Sequence, residues 1–165
     1  MTRSIQCIRG EVSHTDAERL VASASGQAVR MERALYYPYL WYRLHYSLAT
    51  LFGRPRFEVD CLVDGRQGRA STSDAFETLH LSPPATDVLE LSVDPDSGAL
   101  AARRTMSHVL AKKYRTMTPL KLGVGPSQVL YKKFWVVECG AAGPNVLVDS
   151  TTGRFVALTG TREAA

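Results

Sequence analysis

Several features that would assign this chain to a class at once are scarce or missing. Cysteine is scarce: Cys7, Cys61 and Cys139 are odd in number and far apart, which argues against a disulfide framework and for reduced, structural thiols. Long apolar runs are missing, and nothing approaches the roughly 20 residues that a membrane-spanning helix needs. Residues 1–18 carry Arg3, Arg9, Glu11, Asp16 and Glu18 in place of the apolar core of a secretory signal, so a cytoplasmic location is expected. His14, His45, His80 and His108 are scattered, without a second ligand at zinc-binding spacing, and neither a metal nor another cofactor is expected. There is no Walker loop, no Gly-x-Gly-x-x-Gly and no Gly-x-Ser-x-Gly. Gly123-Val124-Gly125 precedes a strand instead of opening a helix, so its amides are not set to cradle phosphate. No catalytic residue is assigned.

What is present reads as an ordinary globular domain of 165 residues, 45% hydrophobic, with a formal net charge of +4. From Ser13 to Gly26, Ala17, Leu20, Val21 and Ala24 fall at helical spacing, with Thr15 and Glu18 at the spacing of a capping box. Residues 27–48 and 56–70 read as strands, residues 71–87 as an irregular connection and residues 88–93 as a short strand. After Asp94-Pro95-Asp96-Ser97-Gly98, where Asp94 and Asp96 read as a helix N-cap more readily than as the start of a cation loop, a helix runs to about Arg115, with Pro119, Gly123, Gly125 and Pro126 as punctuation after it. Two strands follow, around the turn Cys139-Gly140-Ala141-Ala142-Gly143-Pro144.

The two halves can be superposed. Tyr37-Pro38-Tyr39-Leu40-Trp41 aligns with Tyr131-Lys132-Lys133-Phe134-Trp135, and Val63-Asp64 before Gly68-Arg69 aligns with Val148-Asp149 before Gly153-Arg154. The expected fold is therefore α+β: duplicated helix-strand-strand units forming an antiparallel sheet with helices on one face. The first unit would span 1–75 and the second 97–165, with 76–96 as a linker and all three co-folded. Val148-Asp149-Ser150-Thr151-Thr152-Gly153-Arg154-Phe155-Val156 resembles the strand, Asp-x-x-Thr-Gly, strand ending of PepSY-like repeats. In the first half, Gln67 stands where that pattern has Thr. The resemblance implies a helix-then-sheet order and an inhibitory or regulatory module, of a kind mostly found outside the cytoplasm. The Asp-x-x-x-Gly turns also have a purely structural reading, with Asp accepting from backbone amides and Gly taking positive φ.

Two surfaces call for a purpose. Five of the seven tyrosines and one of the two tryptophans lie between Tyr36 and Tyr46. Alternation along one strand puts Tyr37, Tyr39, Trp41, Arg43 and His45 on one face, and Tyr36, Leu40, Tyr42, Leu44 and Tyr46 on the other. In the second half Tyr131 and Trp135 share a face. One such aromatic face would be left for a second subunit, a ligand or the connecting segment. The other surface is basic: between 97 and 137 there is no Asp or Glu, while Arg103, Arg104, Lys112, Lys113, Arg115, Lys121, Lys132 and Lys133 supply +8. Arg104, His108, Lys112 and Arg115 form a stripe along the helix, which is either a solvated face or a site for phosphates or an acidic partner.

The leading expectation is a non-catalytic interaction module binding itself, as a homodimer, or a protein or peptide through the aromatic face. Its binding residues would be Tyr37, Tyr39, Trp41, Arg43, His45, Tyr131 and Trp135. Single-stranded nucleic acid is the alternative partner, with aromatic stacking and the basic patch Arg104, Lys112, Lys113, Arg115, Lys132 and Lys133 on phosphates. A small-molecule pocket or enzyme is a third reading.

Overall fold

The computed structural model describes residues 1–49, 51–115, 120–140 and 143–158. The expected breaks at Pro119 and at Ala141-Ala142 lie outside the described residues. In chain order the elements are β1 Ile5–Ile8, α1 His14–Ser25, β2 Val29–Ser47, β3 Arg56–Asp64, β4 Ala70–Thr72, β5 Thr78–Leu81, α2 Pro95–Tyr114, β6 Leu122–Val124, β7 Gln128–Cys139, β8 Asn145–Asp149 and β9 Phe155–Leu158. A single 3-10 turn covers Ala85–Asp87. Contacts divide the chain into two compact units: residues 1–37, 77–89 and from 131 onward form the first, and residues 38–76 and 90–130 form the second.

In the first unit, Ala17 and Val21 of α1 are buried against Val137 and Cys139 of β7 and Val146 and Val148 of β8, with Val12, Val29 and Trp135 around them. β7 runs antiparallel to β8, and β8 to β9. β1 is antiparallel to β5 and meets β7 in parallel at Cys7 and Tyr131. A smaller cluster of Ile5, Val88 and Tyr131, joined by Tyr36 and Leu81, fills that side. In the second unit the even-numbered residues of β2, Leu40, Tyr42, Leu44 and Tyr46, join Cys61 and Val63 of β3 beneath Ala102, Met106 and Leu110 of α2. Nine residues of β2 pair with β3 in antiparallel register, β4 extends β3, and β6 pairs with β2 at Leu44–Tyr46.

This architecture overturns the expected duplicated helix-strand-strand units in an antiparallel sheet with helices on one face. The sheet is mixed and nine-stranded, ordered β4-β3-β2-β7-β1-β5 with β6 on β2 and β8 and β9 beyond β7. β1, β5 and β6 have no place in a helix-strand-strand pattern. Moreover, each helix packs on the hairpin of the other half: α1 precedes β2 and β3 but covers β7 and β8, while α2 precedes β7 and β8 but covers β2 and β3. Length gives the physical reason. The nine paired residues of β2 and β3 make an apolar stripe of about 30 Å, which matches the 20 residues of α2 at ~1.5 Å each. The five-residue pairing of β7 and β8 suits the 12 residues of α1.

The tryptophan alignment fails for a related reason. Trp41 pairs with Leu62, two residues before Asp64, whereas Trp135 pairs with Val148, one residue before Asp149. A shift of one residue reverses the face of a strand. Trp41 therefore points away from the core under α2, and Trp135 packs into the cluster under α1.

The local signals fare better. α1 starts at the N-cap Ser13, whose Oγ accepts from the Asp16 amide and donates to the Asp16 carboxylate at 2.6 Å. The capping pair is thus Ser13 and Asp16, not Thr15 and Glu18; Glu18 instead accepts from the Met31 amide at 2.7 Å. Asp94 caps α2 through the Ser97 amide. The two Asp-x-x-x-Gly turns match each other bond for bond in the backbone. Asp64 and Asp149 accept from the amides of Gly68 and Gly153, and donate theirs toward Arg69 and Arg154. Each Asp Oδ1 also accepts an amide two residues on, at 2.8 Å, while Gly68 and Gly153 take φ of 72° and 69°. Residues 88–93, expected as a strand, make only an isolated bridge from Val88 to Tyr36, and β5 appears inside the supposedly irregular connection.

Candidate functional site

The face of β2 and β3 turned away from α2 carries a row of aromatic and charged side chains. Alternation sends Leu40, Tyr42, Leu44 and Tyr46 into the core, which leaves Tyr39, Trp41, Arg43 and His45 outward. Their cross-strand partners are Asp64, Leu62, Asp60 and Glu58 in that order. Arg43 Nε lies 3.2 Å from Asp60 Oδ1 and 3.9 Å from Glu58 Oε2, and His45 Nδ1 lies 3.3 Å from Glu58 Oε1. Arg43 and His45 on one strand thus run beside Asp60 and Glu58 on the next.

Trp41 sits at the end of this charged ladder. The Arg43 guanidinium lies 5.1 Å from its ring centroid, and Phe76, from the segment after β4, meets it edge-on at 5.6 Å. The connecting segment therefore covers part of the aromatic face. The indole Nε1 is buried and finds no acceptor among the described residues. Asp60, Glu58 and Phe76 were not singled out from the sequence. Alternation along residues 56–64 could have supplied the two acids, but only with the hairpin register known. Phe76 had no periodic signal at all.

The other expected binding residues lie in the first unit and do not form one face. Tyr37 meets Phe134 edge-on at 6.2 Å. Tyr131 is buried in the small cluster, with Arg3 over its ring at 5.9 Å. Trp135 packs beside α1, donates its Nε1 proton to the Val12 carbonyl at 2.8 Å and is met by the Lys133 ammonium 4.3 Å from its ring centroid. Lys132 is bound at 2.6 Å to Asp149. Burial works against the Asp149 charge, but Lys132, the Thr151 amide and the Thr152 hydroxyl together hold its carboxyl below the usual carboxylate range. The lysines at 132 and 133 are thus spent within the first unit. Arg104, Lys112, Lys113 and Arg115 are exposed on α2 in the second, Lys113 passing 5.5 Å from the Tyr114 ring centroid.

The first unit also holds a cleft of about 520 Å³ between α1 and the Asp149 turn, lined in part by Glu11, Asp16, Arg19, Thr151 and Thr152. Its charges answer one another: Asp16 is bound by Ser13 and Arg19, and the Ser13 hydroxyl chiefly holds its carboxyl below the usual range. Ser150 and Thr151 have buried hydroxyl oxygens without partners among the described residues. The thiols of Cys7 and Cys61 are pushed up to about 11 by burial, which suppresses the nucleophilic thiolate. No three His, Cys, Asp or Glu side chains converge on a common point among the described residues. No helix among them is long and apolar enough to cross a membrane. No family model, curated protein or solved structure matches the chain.

Proposed function

We propose that this chain is a non-catalytic interaction module that pairs with a second copy of itself across the outward face of β2 and β3. One observation carries the reading: Arg43 and His45 on β2 stand directly opposite Asp60 and Glu58 on β3, beside the apolar Trp41, Leu62 and Phe76. A two-fold axis lays such a face on itself, the Arg43 and His45 row against the Asp60 and Glu58 row, with the aromatic end supplying desolvated area. Within one chain the two contacts of Glu58 are half-exposed, so each contributes little to folding and is open to exchange with a partner, while Asp60 is more covered at 25% exposed. The reduced thiols Cys7, Cys61 and Cys139 accord with a cytoplasmic location. The nucleic-acid alternative has less support, because Arg43 occupies a face of the Trp41 ring and Lys132 and Lys133 are engaged internally.

Charge exchange tests the proposal. Arg43→Glu and Glu58→Arg, each alone, place like charges across the two-fold and are expected to sediment as monomers at concentrations where the parent chain is a dimer. Mixed in equal amounts they carry complementary faces and are expected to restore the dimer. A parent chain that stays monomeric up to about 100 μM, well above the micromolar affinity of weak specific dimers, would sink the reading. So would a mixture no more associated than its components.

A further inference from the structure

A separate set of residues in the second unit points to a different partner. β2 ends at Ser47 and β3 begins at Arg56, and on the connection between them Leu51 and Phe52 are each 99% exposed. Single exposed apolar side chains are ordinary, but two large neighbours exposed to this degree on one hairpin connection are not. Arg54 and Arg56 follow them, both exposed.

The root of this hairpin is where the basic end of α2 arrives. Tyr46 pairs with Phe57 on one side and Leu122 on the other, and stacks on the Phe57 ring at 5.4 Å. Its hydroxyl lies 3.0 Å from that of Tyr114, which anchors the last turn of α2. Lys112, Lys113 and Arg115 are exposed on that turn, and Lys121 is exposed just before β6. Between β6 and the hairpin root is a cleft of about 250 Å³, lined by His45, Ser47, Arg56 and Lys121. Six cations, Arg54, Arg56, Lys112, Lys113, Arg115 and Lys121, thus gather around the base of an apolar tip. On the adjoining β3, Glu58 already faces Arg43 and His45; α2 carries its one acid, Asp96, in its first turn, far along the helix from Lys112 and Lys113, and β6 brings none.

We propose that this end of the second unit docks on an anionic phospholipid surface, with Leu51 and Phe52 entering the headgroup–acyl boundary and the six cations lying against the lipid phosphates and carboxylates. An acidic protein or a nucleic acid would answer the charges, but neither offers hydrocarbon just beneath a layer of negative charge, and Leu51 has no ring with which to stack on a base. An anionic bilayer supplies both at the spacing of one side chain. The cleft between Arg56 and Lys121 is placed to take one headgroup phosphate.

The test is co-sedimentation of the full chain with vesicles of phosphatidylcholine alone and of phosphatidylcholine with about 30% phosphatidylserine. Binding is expected only to the anionic vesicles and is expected to weaken as salt is raised from 50 to 300 mM. Leu51→Ser with Phe52→Ser is expected to weaken binding by tenfold or more, judged from the apolar area that leaves water. Lys112→Gln, Lys113→Gln and Arg115→Gln together are expected to cost on the order of 100-fold at low salt, about fivefold per charge. All five positions are exposed, so thermal melting should match the parent chain. Equal binding to both vesicle types, no binding to either, or undiminished binding by the Ser variant would overturn the proposal. Tighter binding to a single-stranded oligonucleotide, retained by the Ser variant, would overturn it in favour of nucleic acid.

Discussion

Gly98 offers a sharp test of how the second unit is packed. It lies in the first turn of α2, is buried and faces β2, where a Cβ would overlap the Tyr42 hydroxyl oxygen and sit 2.9 Å from Leu40 Cδ1. Tyr42 is 1% exposed, and its hydroxyl donates to the Pro95 carbonyl at 2.6 Å. Helix propensity alone favours Gly98→Ala by up to ~1 kcal/mol. Against this, overpacking a dense core costs roughly 1–3 kcal/mol, and moving the Tyr42 hydroxyl sacrifices a hydrogen bond worth about 1 kcal/mol. The net expectation is a loss of about 1–2 kcal/mol, which for a chain of this size lowers Tm by roughly 3–6 °C. Tyr42→Phe alone is expected to cost about 1 kcal/mol through the lost hydrogen bond. In the double variant the clash with the hydroxyl is gone, leaving the ring carbon at position 42 about 3.3 Å from the new methyl and the flexible end of Leu40 to adjust. Urea unfolding of the four chains should then show the double variant more stable than the sum of the single losses, by about 1 kcal/mol. Additivity within about 0.5 kcal/mol, or a Gly98→Ala chain more stable than its parent, would refute the reasoning.

Two further outcomes follow from ionisable groups. Asp149→Asn removes the charge opposite Lys132, whose side chain is only 20% exposed, and is expected to cost about 1–2 kcal/mol at pH 7. Because the Asp149 carboxyl is held low in the folded chain, its contribution is complete above the unfolded value of ~3.9 and is lost as pH falls through the folded one. The parent and Asn variant should therefore converge in stability on acidification below pH ~4, and a constant gap would contradict the assignment. The buried thiols of Cys7 and Cys61, raised to about 11, should resist a disulfide reagent at pH 8 in the native chain and react promptly in guanidinium. Fast native reaction at either position, located by mass mapping, would show that the strands around it open readily.

The outward face of β2 illustrates how far a candidate site can be read from one strand. Alternation alone placed Tyr39, Trp41, Arg43 and His45 together, because a strand of this length leaves no other choice. It could not say which face the helix would cover, nor add Tyr131 and Trp135 to the same surface. Their positions depend on the register of a different hairpin. The same holds for the basic residues: helical spacing grouped Arg104, Lys112 and Arg115, but Lys132 and Lys133 sit on a strand whose neighbours, Asp149 and Trp135, occupy them. The apolar tip at Leu51 and Phe52 is not legible in the sequence, since exposure of a loop residue has no periodic signature.

What the amino-acid sequence determined by itself was local. The extent of α1 and α2, the cap at Asp94, the long β2 and the two Asp-to-Gly turns are each decided by residues within a few positions of one another, through propensity, capping and the φ freedom of glycine. Tertiary structure decided everything that needs a distant partner. β1 has too few residues to announce itself and exists because β5 and β7 supply its hydrogen bonds. The exchange of helices between hairpins, which defeats a simple repeat, is settled by which apolar stripe is long enough to bury which helix. Burial free energy is a property of pairs of surfaces, and no window along a single chain contains both members of the pair.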